Sequence, residues 1–456
     1  MHRMIAFAAA LLAASLCAET PRVDIAPLVF STVGEGRMVK IEYTLSGEPA
    51  VVTIDLQTNT LAGAAGEWVS LGGKGIGELR GAANRVVWAL GEPVSAYWMP
   101  GEVVGGRAFS ADAIRAVVTA WPTNSPPDYM VVDLQAHNSA VRWYASTNDF
   151  PHGFSDPMYK TTKLVMRKIP AKNVIWRMGI PEGGECYEEY DVAHNVLLTY
   201  DYYAGIYELT QGQYHVFDAE QAFSFSGYED SAMRPAEHMG VGALRGQTKT
   251  AYLWPESGHD VSPDSILGKI RSRSGISDMD IPTEAEWEYA CRAGSGTALP
   301  SGKERTQANM NEVAWNKDNA SSKTHVVGTR SGNAFGLYDT IGNVYELCLD
   351  RLSLQAAELT TYIAAYKATF TPGWESGAVT TNPVGITASD ASGISLRFSK
   401  RGSSWNYGLT DLSLSCGGRG DGSMNYATGL DKAGYIGCRL FCSVDAAIRS
   451  SEKAID

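Results

Sequence analysis

The side chains best suited to chemistry lie in the last third of the chain. The turn at residues 338–346 (YDTIGNVYE) offers oxygen atoms at alternating positions around a glycine, and calcium requires hard oxygen ligands of this kind. The tract at residues 405–426 (WNYGLTDLSLSCGGRGDGSMNY) is dense in Asn, Asp, Ser, Gly and Tyr. Such composition is typical of adaptable recognition surfaces, where tyrosine supplies contact area and small polar residues supply hydrogen bonds. A solvated surface loop has a similar composition, so both interpretations stay open.

Histidine and serine patterns point to no further catalytic centre. No two histidines lie within one helical turn of each other; they are His2, His137, His152, His194, His215, His238, His259 and His325. Lone histidines are more often ordinary surface or core residues than metal ligands. The sequence also shows no Gly-x-Ser-x-Gly elbow and no Ser-His-Asp order, so a hydrolase nucleophile is not predicted.

Three segments in a fixed order are together more specific than any one of them. They are residues 282–294 (PTEAEWEYACRAG), 333–346 (NAFGLYDTIGNVYE) and 401–405 (RGSSW). In this combination the chain resembles the sulfatase-modifying-factor domain, which is the fold of the formylglycine-generating enzymes. The resemblance covers residues 175–445. It implies an α+β, C-type-lectin-like architecture with little regular structure.

The resemblance also implies a copper(I) site. Formylglycine-generating enzymes oxidise a sulfatase cysteine with oxygen, and they bind copper(I) through two cysteines shortly after an Arg-Gly-Gly-Ser motif. Here that motif reads RGSS, and the family's spacing places the pair at Tyr407 and Leu412. No cysteine lies between Cys348 and Cys416, and neither a phenol nor an isobutyl group replaces the soft thiolates that copper(I) prefers. Copper is therefore not expected. The main alternative is a formylglycine-generating-type oxidoreductase that acts on a sulfatase cysteine, or on another substrate, through an unrecognised centre.

The same resemblance implies that the 338–346 turn holds calcium. Position by position, Asp339 matches the side-chain ligand, and Gly342 and Val344 match two main-chain carbonyls. Glu346 matches the carboxylate ligand. Aspartate in place of the family's asparagine adds negative charge, which favours a divalent cation. Calcium is therefore the predicted cofactor; in the alternative interpretation Asp339 and Glu346 only cap and hydrogen-bond the turn.

Two capping boxes predict where helices begin in this region. Thr210 with Gln213, and Thr283 with Glu286, have the spacing at which each side chain satisfies the other's backbone amide. Gly294 stands where the second helix should end, because glycine readily adopts the left-handed conformation that closes a helix.

The second helix is predicted to pack by one face. Trp287, Ala290 and Cys291 share that face, which is typical of core packing. Glu284 and Glu288 lie elsewhere on the helix, and the sequence shows no basic partner for them. We therefore expect no chemistry from the helix itself.

The length of the chain favours two domains. Short alternating β-branched segments at residues 38–45, 50–57 and 84–90 predict strands of a small antiparallel β-sandwich. The predicted organisation is a signal peptide at 1–18, a β-sandwich domain at 19–125, a linker with connecting strands at 126–174, the sulfatase-modifying-factor domain at 175–445 and a tail at 446–456.

The N-terminus predicts export. Residues 1–18 combine a positive start, an apolar centre and a final small residue, as secretory signals do. No later segment has the apolar length of a membrane span. We therefore expect a secreted or periplasmic protein that does not span the membrane. Six cysteines remain after removal of the signal, and their disulfide pairing is open.

Net charge and composition restrict the kinds of partner that the chain is expected to bind. The formal net charge is −12 without a basic run, which argues against nucleic acid. We expect an extracellular peptide, protein or glycan, bound in a groove that contains Trp405, Asn406, Tyr407, Asp411, Asn425 and Tyr426. A third hypothesis is a diversified lectin-fold receptor, because the 405–426 tract resembles the variable tract of receptors diversified by retroelements.

Overall fold

A computed structural model describes most of the chain. The described residues are 20–33, 36–59, 66–71, 78–99, 114–136, 140–246, 254–387, 390, 393–421 and 434–450. The predicted signal peptide and the candidate residues Asn425 and Tyr426 lie outside them.

Most elements are short strands. The strands are β1 (Arg22–Ile25), β2 (Val29–Val33), β3 (Gly36–Ser46), β4 (Ala50–Asn59), β5 (Trp68–Ser70), β6 (Glu78–Gly81), β7 (Arg85–Val87), β8 (Pro93–Met99), β9 (Ile114–Pro122), β10 (Tyr129–Asp133), β11 (Val141–Tyr144), β12 (Lys163–Ile169), β13 (Ile175–Met178), β14 (His194–Leu197), β15 (Tyr202–Gly205), β16 (Tyr345–Leu352), β17 (Val379–Thr381), β18 (Arg397–Arg401), β19 (Arg419–Asp421), β20 (Ile436–Gly437) and β21 (Phe441–Ser443). The α-helices are α1 (Met158–Thr161), α2 (Gln211–His215), α3 (Val241–Arg245), α4 (Ile266–Ser274), α5 (Glu284–Arg292), α6 (Gln307–Val313), α7 (Leu359–Ala368) and α8 (Val444–Arg449).

The N-terminal region consists of two sheets that share one core. One sheet has the strand order β1-β3-β8-β6, with β2 also on β3, and the other has the order β5-β4-β7, with β9 also on β4. Ile41, Tyr43 and Leu45 alternate along β3 and are buried, as the period of two along a strand requires. They pack with Val52 and Ile54 of β4. The strands predicted at 38–45, 50–57 and 84–90 correspond to β3, β4 and β7.

The second region is α+β, as predicted. Its largest sheet has the order β11-β10-β12-β15-β21, and two smaller sheets have the orders β13-β14-β17 and β19-β18-β16-β20. The largest sheet crosses the predicted boundary at residue 175. Three of its strands come from the segment 126–174, which we had expected to connect the domains.

The two regions share buried contacts. Val51 and Val86 of the N-terminal sheets lie in the same hydrophobic cluster as Met130 and Trp143 of the large sheet. The Trp143 amide donates a hydrogen bond to the Asn84 carbonyl oxygen at 2.9 Å. The N-terminal sheets therefore pack directly against the second domain.

Both predicted capping boxes form. Thr210 caps α2 and Thr283 caps α5, and in each case the third helical residue returns a side-chain bond to the cap. Helix α5 ends at Ala293, which has the left-handed conformation, and Gly294 follows. These local signals were sufficient because they involve residues three positions apart.

The expectation for the α5 glutamates was wrong. Glu284 and Glu288 are completely buried, and Arg401 binds both carboxylates at 2.8 and 3.0 Å. Arg419 forms a second ion pair with Glu284, and Arg292 pairs with Glu288 at 2.7 Å. We name these five residues the buried ion network. Its arginines 401 and 419 lie 117 and 135 positions from Glu284, so inspection of the helix sequence could not find them.

The arginines determine the ionisation of both glutamates. Burial alone would raise the pKa of Glu284, but Arg419 and Arg401 outweigh it and lower the pKa below its usual value. Burial acts on Glu288 in the same way, and Arg292 and Arg401 again lower the pKa. Both glutamates are therefore charged partners of buried arginines at neutral pH.

We predict that Glu284→Gln strongly destabilises the fold. The variant leaves Arg401 and Arg419 short of a buried counter-charge, and breaking a buried pair costs about 3–5 kcal/mol. Denaturant unfolding measures the loss. Glu312→Gln is the control, because Glu312 pairs with Lys303 at the surface and exposed pairs contribute less than about 1 kcal/mol. Equal losses in the two variants would contradict the role of the network.

Candidate functional site

The candidate site is built on the loop that follows β18. We name residues 402–418 the motif loop. Gly402 has φ of +83°, and a Cβ atom there would lie 2.7 Å from the Thr340 carbonyl oxygen, so glycine is required. The Gly402 carbonyl oxygen accepts a hydrogen bond from the Gly342 amide at 2.8 Å. The backbone therefore joins the motif loop to the 338–346 turn.

Tyr407 lies at the first position that the resemblance gives to a copper thiol. Its ring meets the Tyr345 ring edge-on, with centroids 5.5 Å apart, and the Tyr435 ring at 6.0 Å. The Lys400 Nζ atom lies 4.5 Å from the centroid of the Tyr345 ring. Edge-to-face rings and a cation over a ring attract each other beyond simple burial. An aromatic cluster with a nearby ammonium group therefore surrounds this position.

Asp411 and Leu412 form the turn beyond Tyr407. Asp411 Oδ1 accepts a hydrogen bond from the Ser413 amide at 2.9 Å and another from the Ser413 hydroxyl. The Ser413 hydroxyl also lies 2.5 Å from the Tyr345 hydroxyl. The Leu412 carbonyl oxygen accepts a hydrogen bond from the Ser415 hydroxyl at 2.9 Å. The Asp411 carboxylate therefore holds the motif loop in shape.

Further aromatic rings continue this surface. The Trp405 ring meets the Phe225 ring edge-on at 5.7 Å, and Phe225 lies 6.4 Å from Tyr228. The Trp405 indole donates a hydrogen bond to the Gly434 carbonyl oxygen at 2.8 Å, next to Tyr435. We name this set the aromatic row: Tyr228, Phe225, Trp405, Tyr435, Tyr407 and Tyr345.

The aromatic row contains two of the six predicted groove residues, Trp405 and Tyr407. Asn406 lies between them and is exposed, Asp411 is half-buried, and the other two are outside the described residues. Sequence analysis missed the four other members of the row. The run FSFSGY at residues 223–228 was a usable local signal, because it has the same composition as the tract from residue 405.

The carboxylate of Glu346 is part of an ion pair. Arg439 binds it with Nη2 at 2.6 Å and Nε at 3.0 Å, and the Trp287 indole donates to Oε2 at 2.7 Å. Asp339 Oδ2 accepts a hydrogen bond from the Gly328 amide at 2.6 Å. Asp339 Oδ1 is buried and has no hydrogen-bond partner in the described part of the chain.

Burial is the main cause of the shifted pKa values at this turn, and closely spaced carboxylates add to it. Burial raises the pKa of Asp339 to about 6, and Glu346 acts in the same direction. Burial also raises the pKa of Glu208 well above its usual value, and Asp339 and Glu346 contribute. Glu208 in turn accepts hydrogen bonds from the Val344 amide at 3.0 Å and from the Asn343 side chain at 2.7 Å.

The side chains of the turn do not form a ready calcium shell. Among the described residues, no group of three or more acidic, histidine or cysteine side chains is arranged to hold a metal ion. A calcium ion at Glu346 would compete with the Arg439 guanidinium, whereas Asp339 Oδ1 is available as a ligand. This geometry fits the alternative interpretation, in which Asp339 and Glu346 stabilise the turn through contacts within the protein. Calcium binding by Asp339, Gly342, Val344 and Glu346 stays a prediction.

Calcium binding predicts a shift of the melting temperature. An ion that binds only the folded chain stabilises it by mass action, so calcium should raise the melting temperature above its value in chelator. Glu346→Gln should abolish this difference, whereas the control Glu312→Gln should keep it. Identical melting curves of the unaltered chain in calcium and in chelator would contradict the site.

One pair of thiols does come together, but it is inside the protein. Cys291 Sγ and Cys416 Sγ lie 3.4 Å apart, and both side chains are buried in a cluster with Trp287. Burial raises the pKa of Cys416 well above its usual value. Since the thiolate is the metal-binding form, this pair is a poor copper site. Because their two sulfur atoms lie close together, Cys291 and Cys416 form the first disulfide to test among the pairings that the sequence left open.

The fold and the motif positions together define the class of protein. The chain has an α+β domain that holds all three motif segments, preceded by a β-rich region. Residues 176–406 match the family model described as sulfatase-modifying factor enzyme 1-like domain, and the chain belongs to this family.

Two relatives match parts of the chain. The chaperone protein LppX of Paenibacillus barcinonensis is 30% identical over 182 residues, covering 34% of this chain and 63% of that protein. The serine/threonine-protein kinase pkn1 of Chlamydia caviae is 42% identical over 73 residues, covering 15% of this chain and 10% of that protein. The chain therefore spans less than two thirds of either relative's length.

Two solved structures are similar over the greater part of the chain. Variable protein 1 of Treponema denticola is 23% identical, covers 62% of this chain and 95% of that chain, and has a TM-score of 0.41. PvdO of Pseudomonas aeruginosa is 20% identical, covers 61% of this chain and 94% of that chain, and has a TM-score of 0.42. None of the helices in the described residues has the length and apolar character needed to cross a membrane.

Proposed function

We propose that this chain is a binding protein of the sulfatase-modifying-factor family. Its ligand is an extracellular peptide, protein or glycan, and the aromatic row is the surface that holds it. The row itself is the observation that carries the proposal. It includes Tyr407, which stands where the enzymes of the family have a copper thiol. The composition of residues 1–18 supports a secreted or periplasmic location.

The physical character of the row suits recognition. Its rings are large and rigid, so they provide contact area with little loss of conformational entropy. Tyr228 is 42% exposed, and Phe225, Trp405, Tyr407 and Tyr435 are half-buried. Rings that are held from behind and open in front are the kind of residue that dominates binding energy at interfaces.

Loss of the copper thiols supports binding over catalysis. Tyr407 and Leu412 stand at the positions that the resemblance gives to the two cysteines, and the cysteines that flank them on either side in the chain, Cys348 and Cys416, are buried. The name of one relative, a chaperone, is compatible with a polypeptide ligand. We infer only that the fold of the family persists here with a different surface chemistry.

We predict that the chain does not generate formylglycine. Incubated with copper(I), oxygen and a Cys-x-Pro-x-Arg peptide, it should leave the peptide's cysteine unchanged, because no soft ligand pair is present at residues 407 and 412. Mass spectrometry of the peptide checks this. The double variant Tyr407→Cys and Leu412→Cys is the matched comparison and should bind copper(I) more tightly. Aldehyde formation by the unaltered chain would favour the oxidoreductase alternative.

We predict that the aromatic row determines ligand binding. A glycan array and a random-peptide display library select a ligand, and calorimetry measures its affinity for variants. Trp405→Ala and Tyr228→Ala should each weaken binding about tenfold or more, as truncation of a central aromatic does. Trp68→Ala on β5 is the aromatic control and should leave affinity unchanged. Tyr407 is a less suitable probe, because it packs against the hydrophobic core.

The selection also discriminates between ligand classes. Enrichment of glycans would identify the ligand as a glycan, and enrichment of peptides would identify it as a polypeptide. If every selected ligand binds the Trp405→Ala and Tyr228→Ala variants as tightly as the unaltered chain, the row is not the binding surface.

A further inference from the structure

A second surface lies beside β13, on a different set of elements from the aromatic row. A cavity of about 520 Å³ opens between β13 and the C-terminal end of α5. This volume is within the range of ligand sites in proteins. Its wall includes Trp176 and Arg177 of β13, Tyr289 and Arg292 of α5, and the backbone of residues 294–298.

Strand β13 is at the edge of its sheet. In the order β13-β14-β17, no other described strand pairs with its free side. The Gly179 amide points away from β14, because it donates to Glu288 of α5 at 2.9 Å. Since backbone amides two residues apart along a strand point to the same side, the amide and carbonyl groups of Arg177 also point toward the cavity. An edge of this kind can accept another strand.

The cavity wall has an aromatic part and an open part. The Trp176 and Tyr289 rings meet edge-on at 5.4 Å, and a hydrogen bond of 3.0 Å from the Tyr289 hydroxyl to the Pro170 carbonyl oxygen fixes the tyrosine. A Cβ atom on Gly296 would meet nothing within 4 Å. The space therefore fits a bulky apolar side chain of a ligand.

The uncompensated charge around the cavity is mainly acidic. Arg292 is already paired with Glu288 at 2.7 Å. Arg177 also lines the cavity, is exposed, and donates to two uncharged oxygens, Asn195 Oδ1 and the Ala193 carbonyl, so its positive charge opposes that of the nearby glutamates without outweighing it. Glu185 and Glu304 line the cavity and are exposed, and Glu182 of the same loop as Glu185 is exposed too. Complementary charge improves the encounter rate and the specificity of a partner. A basic group in the ligand is thus favoured over an acidic one.

We propose that an extended polypeptide segment adds to β13 as a further antiparallel or parallel strand. It places one large apolar or aromatic side chain against Trp176 and Tyr289, and a lysine or arginine two residues along, on the same face of the added strand, near Glu185 and Glu304. Main-chain hydrogen bonds supply affinity in this mode of recognition, and the cavity supplies selectivity. The inference does not rest on the aromatic row, which is built from other residues.

The test uses fluorescein-labelled peptides of the series Ser-Val-Thr-X-Thr-Lys-Val-Ser, where X is Phe, Trp, Leu, Ile or Ala and the lysine shares a face with X. Fluorescence polarisation with the full chain should show saturable binding for large X and at least about tenfold weaker binding for Ala. Replacing the lysine with glutamate should weaken binding. N-methylation of every second peptide amide should abolish binding when the methylated set is the one that faces β13. N-methylation of the other set should be tolerated, because only one set of amides faces β13.

Chain variants separate this site from the aromatic row. Gly296→Phe fills the cavity and should weaken peptide binding about tenfold or more. Gly227→Phe is the matched control: that glycine is also open and lies elsewhere, so binding should persist. Trp405→Ala should likewise leave binding unchanged. Circular dichroism and melting confirm that each variant folds.

Four results would overturn the proposal. The first three are the absence of saturable binding by every peptide up to about 1 mM, equal binding by Gly296→Phe and the unaltered chain, and equal tolerance of both N-methylation registers. Loss of binding in Trp405→Ala alone would assign the peptide to the aromatic row and would also overturn it.

Discussion

The buried ion network is the interaction on which the rest of the domain depends. Charges removed from water are costly unless each has a partner and well-placed hydrogen bonds. Glu284 meets this requirement only when Arg401 and Arg419 reach it from distant strands. Glu288 pairs with Arg401 as well as with Arg292 of its own helix. The network thereby fixes the position of α5 against β18 and β19. Misplacement of any of these elements would leave a buried charge without a partner.

This dependence accounts for two of the three motif segments in structural terms. Arg401 belongs to the RGSS segment, and Glu284 and Glu288 belong to PTEAEWEY, so both segments serve as structural supports here. Arg401 also donates to the Gly417 carbonyl oxygen at 3.0 Å, which anchors the far end of the motif loop. Side chains on the outside of an anchored loop can change without disturbing its support. The exposed Asn406 occupies such a position.

Sequence reasoning succeeded where the signal was local and failed where it was distant. The caps at Thr210 and Thr283 involve residues three positions away, and β3 has the alternation that one buried face requires. The partners of Glu284 lie more than a hundred positions away. The pairing of β12 with β15 was out of reach for the same reason, because the two strands meet only after the chain folds. The aromatic row likewise gathers rings from four separate segments.

Two candidate surfaces are attached to the same anchored loop. Near its start the motif loop contributes Trp405 and Tyr407 to the aromatic row, and near its end Gly417 lines the cavity beside β13. Between them Leu414, Ser415 and Cys416 are buried, so this part of the loop has little room to move in response to a ligand. Two sites can influence each other through an element between them that switches between two arrangements. A well-packed segment with one arrangement provides no such element. The two surfaces are thus best understood as independent positions on one rigid support.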